Sequence, residues 1–294
     1  MADTSGQAQA CAGTRPQAGR SQEMDDRQFS DWTKLLESRT GLFISPERKS
    51  FLLSGIRSRM RKVGCQDYLE YYNHLSGGRF QIREWSLLVD QLTVHETCFF
   101  RHESSVKLVE EVVIPSVFER RQSLNAWSVG CATGEESYSL AMLIDDYCAA
   151  QGSARYFGVT GTDISLPSLK HAREGLYLDR RLRDIRTAFQ DRYCLSETDS
   201  RFRISPDLRK RVCFSQLNLR DIEKAPFSNL DLVFCQNLLI YYHRERRVQI
   251  VNQLAECLRP GGVLVLGPGE LLDWQHPNME KVRYPDTLAY RRTD

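Results

Sequence analysis

The chain has 294 residues, 41% of them hydrophobic and 27% charged, an ordinary composition for a soluble globular protein and enough length for about two domains. A formal net charge of +2 offers no argument for nucleic acid as a partner. No apolar run approaches the roughly 20 residues a membrane-spanning helix requires, so no membrane insertion is expected.

Residues 1–23 are rich in Ala, Gly, Gln and Ser. They lack an apolar signal-peptide core and read as a disordered tail. Residues 24–92 read as a small all-α domain. Phe29, Trp32 and Leu36 mark one face of its first helix, with Gly41 after it. A second helix has Ser45 at its N-cap, Pro46 at its first position and Gly64 at its stop. Leu52, Ile56, Met60 and Val63 form its buried stripe. Arg57, Arg59, Arg61 and Lys62 spread over the remaining surface, with no acid between Arg48 and Lys62. A third helix near Asp67 to Leu75 stops at Gly77-Gly78, and a fourth runs from about Ile82 to Leu92.

Residues 93–294 read as an α/β domain. A helix at 104–120 leads to a strand at 125–129, a helix at 135–149 and a strand at 155–161. Ser165 and Pro167 start another helix, and Gly175 ends it. Phe202 with Ile204, and Val212 with Phe214, have the period-two pattern of short strands. They predict a small antiparallel β insertion at about 190–216. The alternation resumes with a strand at 230–235, a helix at 244–258 and a strand at 261–267. A hairpin turning at Pro285-Asp286 closes the chain. Nine cysteines show no CxxC and no zinc spacing. Reduced core thiols in a cytoplasmic protein are the expectation, with no metal.

The most informative segment is Val129-Gly130-Cys131-Ala132-Thr133-Gly134-Glu135-Glu136. It follows an apolar strand and opens a helix. The next strand ends at Asp163. Strand, glycine turn, helix, strand, acid is how a doubly wound, Rossmann-like domain holds a nucleoside, the acid gripping the ribose hydroxyls. The spacing departs from the GxGxxG of a dinucleotide site, which disfavours a nicotinamide dehydrogenase. Glu135 and Glu136 would repel a pyrophosphate. They suit a cofactor that combines ribose, adenine and a positive charge, which describes S-adenosyl-L-methionine.

Five segments in order are similar to the CheR-type chemotaxis-receptor glutamate methyltransferases. They are Thr93-Val94-His95-Glu96-Thr97-Cys98-Phe99-Phe100-Arg101, the Gly130–Glu136 loop, Thr162-Asp163-Ile164, Leu217-Asn218-Leu219, and Phe234-Cys235-Gln236-Asn237-Leu238-Leu239-Ile240-Tyr241-Tyr242. The resemblance runs from about residue 25 to the end. It implies that Thr97 and Arg101 contact the cofactor or the reacting centre. Glu135 and Asp163 would hold the cofactor's amino and ribose groups, and Gly130 would let the backbone approach it. Asn218, Leu219 and Asn237 would flank adenine and the methionine part. His95 falls at a cofactor position where the family has Asn. Gln236 replaces an Arg, and Gly267-Pro268-Gly269-Glu270 replaces a G-H-S-E-like turn that receives no role. These departures and the length resemble the branch serving type IV pilus chemosensory systems.

The reaction implied is methyl transfer from S-adenosyl-L-methionine to receptor glutamates, leaving S-adenosyl-L-homocysteine. A carboxylate with a pKa of about 4.3 is already ionised at neutral pH, so no general base is needed. Arg101 and Tyr241 are the candidate catalytic residues, Arg101 orienting the acceptor carboxylate through its fork of donors. Phe99 and Phe100 are candidates for a cation–π contact with the sulfonium. The partner implied is the cytoplasmic helical region of methyl-accepting chemoreceptors, met by a monomer. Arg57, Arg59, Arg61 and Lys62 would dock that Glu-rich helix. In some family members a β-subdomain also captures a receptor C-terminal peptide by strand addition. Two alternatives stay open at this point. One is a methyltransferase for RNA or small molecules, and the other is a non-catalytic module that binds the cofactor or the receptor.

Overall fold

The computed structural model describes residues 23–76, 81–152 and 155–294. The tail expected over 1–23 falls on residues outside these, apart from residue 23, and so does the Gly77-Gly78 stop.

Four helices come first: α1 (Asp26–Thr40), α2 (Lys49–Val63), α3 (Tyr68–Ser76) and α4 (Gln81–Leu92). The Asp25 carboxylate caps α1 by accepting the Gln28 N–H, and the Gln28 side chain returns a bond to the Asp25 N–H. Such a box satisfies donors that a helix start leaves orphaned. Gly41 and Gly64 end α1 and α2 in the left-handed conformation, which glycine adopts at no steric cost. Trp32, Leu36, Leu52, Ile56, Tyr71 and Leu88 make one apolar core between the helices. Helix α2 itself begins at Lys49, because Pro46–Arg48 is a 3₁₀ turn.

Arg59 departs from the expected docking face. It is buried and gives a bidentate pair to Glu84, at 2.9 and 2.6 Å. Tyr71 donates to the same carboxylate at 2.7 Å. The pair ties α2 to α4 and excludes Arg59 from contact with a partner. The hydrophobic stripe of α2 takes one flank of the helix, and Arg59 sits beside Met60 on that inward side.

The rest is an α/β domain. Helix α5 (Glu103–Leu108) passes through a π turn (Val109–Val113) into α6 (Ile114–Phe118). There follow β1 (Ser123–Val129), α7 (Glu135–Ala150), β2 (Tyr156–Asp163) and α8 (Leu166–Glu174). Next come β3 (Leu176–Leu178), α9 (Thr187–Tyr193), β4 (Cys194–Glu197), β5 (Arg201–Ile204), α10 (Pro206–Arg209) and β6 (Val212–Gln216). The chain closes with β7 (Leu230–Cys235), α11 (Arg244–Glu256), β8 (Leu258–Leu266), β9 (Met279–Val282) and β10 (Leu288–Arg292). The main sheet has seven strands in the order β6-β2-β1-β7-β8-β10-β9. Its first five strands run parallel, and β10 lies antiparallel between β8 and β9.

A small antiparallel sheet, β3-β5-β4, stands apart from the main one, with β3 and β4 as its edges. Its extent differs from the expected 190–216. It starts earlier, at Leu176, and it excludes Val212 and Phe214. Those two belong to β6, which pairs parallel with β2 in the large sheet. Their period-two pattern comes from a sheet-edge strand covered on one face, where Phe214 packs on Tyr138. Phe202 and Tyr177 pin the small sheet to Phe99.

The sequence order turns back between β1 and β7, with β2 on one side of β1 and β7 on the other. Ligands of open α/β sheets bind beyond the carboxyl ends of strands at such a switch point. The α1 C-terminus seats over that same edge. The Phe43 N–H donates to the Tyr241 carbonyl at 2.8 Å, and Phe43 packs against His243 with centroids 3.8 Å apart and the rings tilted by 42°.

Candidate functional site

A cleft of about 320 Å³ lies at this switch point, walled by the sheet ends on one side and by the helical region on the other. Thr93, His95, Thr97, Arg101, Gly130, Asp163, Leu219, Asn237 and Tyr241 all line it. Residues from five separate sequence segments therefore converge on one cavity. Leu36, Thr40, Leu42, Phe43 and Ile44 roof it from the helical side.

The glycine loop forms the floor. Gly130 has φ of 72°, and a Cβ there would stand 2.7 Å from a Leu238 methyl. Gly130 and Cys131 donate their N–H groups to the Thr162 carbonyl, at 2.7 and 2.9 Å. The turn is thus sewn to the end of β2, where Asp163 stands. The Asp163 carboxylate accepts from Ala132 N–H at 2.9 Å and Ser165 N–H at 2.8 Å. Burial raises its pKa against those bonds. A half-buried, fixed carboxylate lining a cavity suits a ligand with hydroxyl donors.

Besides Asp163 and the exposed Glu96, Glu136 is the third acid on the wall. It accepts from the Ser128 hydroxyl at 2.7 Å, and burial pushes its pKa up to about 8. Glu135, the acid expected to meet the cofactor, is buried outside the cavity lining. Its carboxylate is bound by the Thr133 hydroxyl at 2.6 Å. The first residue of α7 points back into its own N-terminal turn, and the next one turns toward the cleft.

Asn218 is also outside the lining. Its oxygen caps the turn at Leu219 by accepting from Arg220 N–H, and its amide donates to the Arg39 carbonyl at 2.8 Å. It places Leu219 and joins the two regions of the chain. His95 lines the cleft with both ring nitrogens engaged by protein. Nε2 lies 2.9 Å from the Asp90 carbonyl and Nδ1 lies 2.9 Å from Ser168 Oγ. Phe99 is buried core and Phe100 packs on Phe189. Neither lines the cavity where the expected cation–π contact would form.

At the mouth, Arg101 donates to the Glu96 carbonyl at 2.8 Å. The Arg48 guanidinium lies 5.3 Å from the Tyr241 ring centroid. Among the described residues no carboxylate pairs with Arg48. Asn237, at φ of 56°, is held by His102 Nε2 at 2.6 Å. Gln236 is buried and donates to Ser105 Oγ and the Leu266 carbonyl.

Sequence reasoning gave no site role to Arg48 or Glu270, and it set Glu135 beside Glu136 where only Glu136 lines the cavity. The Glu270 carboxylate is buried and accepts from Leu239 N–H at 2.8 Å and Gly267 N–H at 2.9 Å. It thereby anchors the turn that carries Asn237 and Tyr241. The position of Glu270 in the turn at 267–270 was visible, but its Leu239 partner lies 31 residues away. Arg48 had a signal as the first base of the acid-free stretch. Among the described residues no cluster of acids, His or Cys is arranged to hold a metal ion.

A glycine floor and carboxylates lining a cleft at a parallel switch point have the form of a nucleoside site of the Rossmann-like class. Comparison with known proteins makes the assignment specific. Residues 95–287 match the CheR methyltransferase SAM-binding domain, and residues 27–93 match the CheR methyltransferase all-alpha domain. The chain belongs to the CheR methyltransferase family and is an S-adenosylmethionine-dependent enzyme. It is 30% identical to a chemotaxis protein methyltransferase of Borreliella burgdorferi, over 83% of this chain and 88% of that one. It is 28% identical to one from Vibrio parahaemolyticus, over 91% and 98%. It is 30% identical to chemotaxis protein methyltransferase 1 of Pseudomonas aeruginosa, over 90% and 97%.

Proposed function

We propose that this cleft methylates glutamate side chains in the cytoplasmic helical region of methyl-accepting chemoreceptors, giving glutamyl methyl esters during chemosensory adaptation. One observation carries the reading of the site: two half-buried acids, Asp163 and Glu136, share a cavity that Arg101, Arg48, Tyr241 and the exposed Glu96 also line. Acids inside suit an adenosyl cofactor with ribose hydroxyls and an ammonium group. Bases at the mouth suit an incoming carboxylate.

S-adenosylmethionine, when bound, supplies an electrophilic methyl group. The protein's part is placement. Asp163 takes the ribose hydroxyls, and Gly130 leaves room for the backbone to approach. Glu136 faces the amino-acid end, with Glu135 fixing the start of α7 behind it. Leu219, placed by Asn218, takes a face of the adenine. Thr97 and Asn237 complete the walls. Arg101 orients the acceptor carboxylate through paired donors, and the Tyr241 ring packs beside it. No residue needs to remove a proton, because the acceptor is ionised at neutral pH. Alignment and water exclusion can supply about 7–11 kcal/mol of barrier reduction.

The docking face for a Glu-rich helix, in this reading, is Arg57, Arg61 and Lys62. Arg61 and Lys62 are exposed, and Arg57 is held by the Tyr68 hydroxyl at 2.6 Å. The enzyme works as a cytoplasmic monomer. No helix among the described residues is long and apolar enough to cross a membrane. The test is transfer of radiolabelled methyl groups to receptor-containing membranes. Base-labile counts in the receptor band are expected. Intact cofactor binding with no such counts would favour a non-catalytic receptor module instead.

A further inference from the structure

His95 closes a ring of four polar side chains across the junction between the helical and α/β regions. His95 follows α4, Asp90 lies on α4, Ser165 caps α8 and Ser168 lies in its first turn. His95 Nε2 approaches the Asp90 carboxylate at 3.2 Å and the Asp90 carbonyl at 2.9 Å. The Ser165 hydroxyl donates to the same Asp90 carboxylate. Ser165 and Ser168 hydroxyls are 3.0 Å apart, and Ser168 Oγ is 2.9 Å from His95 Nδ1. Ser165 is fully buried. Its backbone N–H holds Asp163.

We propose that His95 is a positioning residue: with Asp90, Ser165 and Ser168 it latches the helical region onto α8 and so holds Asp163 ready for the adenosyl ribose. This rests on the cofactor reading above. Nothing in the ring needs to touch the cofactor. With an imidazolium, every donor runs in one direction. Nδ1–H donates to Ser168, Ser168 to Ser165 and Ser165 to Asp90, while Nε2–H donates to Asp90 directly. One cation faces one carboxylate, and charge-assisted bonds are about twice as strong as neutral ones. With a neutral imidazole, Ser168 must reverse its hydroxyl toward Nδ1 and the charge pairing is lost.

The charged groups facing the ring are Asp90 from α4 and Asp163 from the end of β2, with Arg59 of α2 acting on Asp90 at longer range. Burial lowers the His95 pKa, but the bonds to Asp90 outweigh it, and the net direction is upward. A raised value means that the latch is fully formed below the ordinary pKa of 6.5 and weakens as pH rises through the shifted one. Cofactor affinity therefore falls with rising pH through this group.

The experiment is calorimetric titration of S-adenosylhomocysteine into the full chain from pH 6 to 8.5, for wild type, His95→Asn and Ser168→Ala. The family's own Asn keeps His95→Asn foldable, and circular dichroism checks that it is. The readout is the ratio of wild-type to variant affinity, in which the Glu136 titration cancels. We expect wild type to bind about fivefold more tightly than His95→Asn at pH 6, the low end of site-to-site coupling, and the advantage to shrink as pH rises. Ser168→Ala should lose the same low-pH advantage. A ratio independent of pH overturns the latch, as does a Ser168→Ala protein with wild-type behaviour. Failure of every protein to bind at any pH instead overturns the cofactor reading.

Discussion

In the proposed site Asp163 is the residue expected to contribute most to cofactor binding, because it is fixed by two backbone donors and lines the cavity. Asp163→Asn keeps the shape and removes the charge. It should weaken S-adenosylhomocysteine binding by about 10- to 100-fold, the equivalent of about 1.5–3 kcal/mol for hydrogen bonds to a charged group. Titration calorimetry on a variant of unchanged circular dichroism measures it. Glu136 makes a prediction in pH. Its ordinary value of 4.5 rises to about 8, so the ligand-free protein is stabilised by the protonated acid below about pH 4.5 and loses that stability as pH climbs toward 8. An ammonium-bearing ligand favours the ionised form. Ligand binding should therefore release a proton near pH 7, and Glu136→Gln should abolish that release. Calorimetry in buffers of different ionisation enthalpy reads the proton directly.

Helix α2 separates two jobs that its sequence runs together. Arg59 is an internal strut on Glu84 and Tyr71, whereas Arg61 is solvent-exposed. Breaking a buried pair from one side costs about 3–5 kcal/mol, so Arg59→Ala should unfold at a much lower urea concentration. Reversing Arg57 and Arg61 to Glu should instead raise the receptor KM and leave cofactor affinity unchanged. Equal loss of cofactor binding in the double variant would remove α2 from the docking surface. The basic run was legible in sequence, but its partition was not. Helical position alone does not say which arginine meets a carboxylate 25 residues away. Helix α7 teaches the same point at its start, where Thr133 claims Glu135 and leaves Glu136 for the cleft.

At the scale of the whole molecule the cleft exists only because two regions close on each other. The Phe43–Tyr241 backbone bond, the Asn218–Arg39 bond and the ring around His95 all cross that junction. A ligand that binds there should stabilise both regions together. S-adenosylhomocysteine at about 100 times its Kd adds about 2.7 kcal/mol, which corresponds to a rise in Tm of about 5 °C. Calorimetric unfolding should show that rise in a single transition.

Local chemistry set much of this in advance. Glycine at 130 and 134, the strand runs beside them and the acid at 163 specify a nucleoside turn whatever the rest of the chain does, since φ preference and hydrophobic period act over a few residues. The β1, β2 and β7 core and the capped α1 follow from the same short-range rules. Tertiary structure alone decided which arginine of α2 is buried, which glutamate of α7 faces the cavity, that Val212 and Phe214 join the main sheet, and that His95 is spoken for by Asp90 and Ser168. Each of those outcomes depends on a partner far along the chain, and the energy that selects it appears only once packing has removed water from both groups.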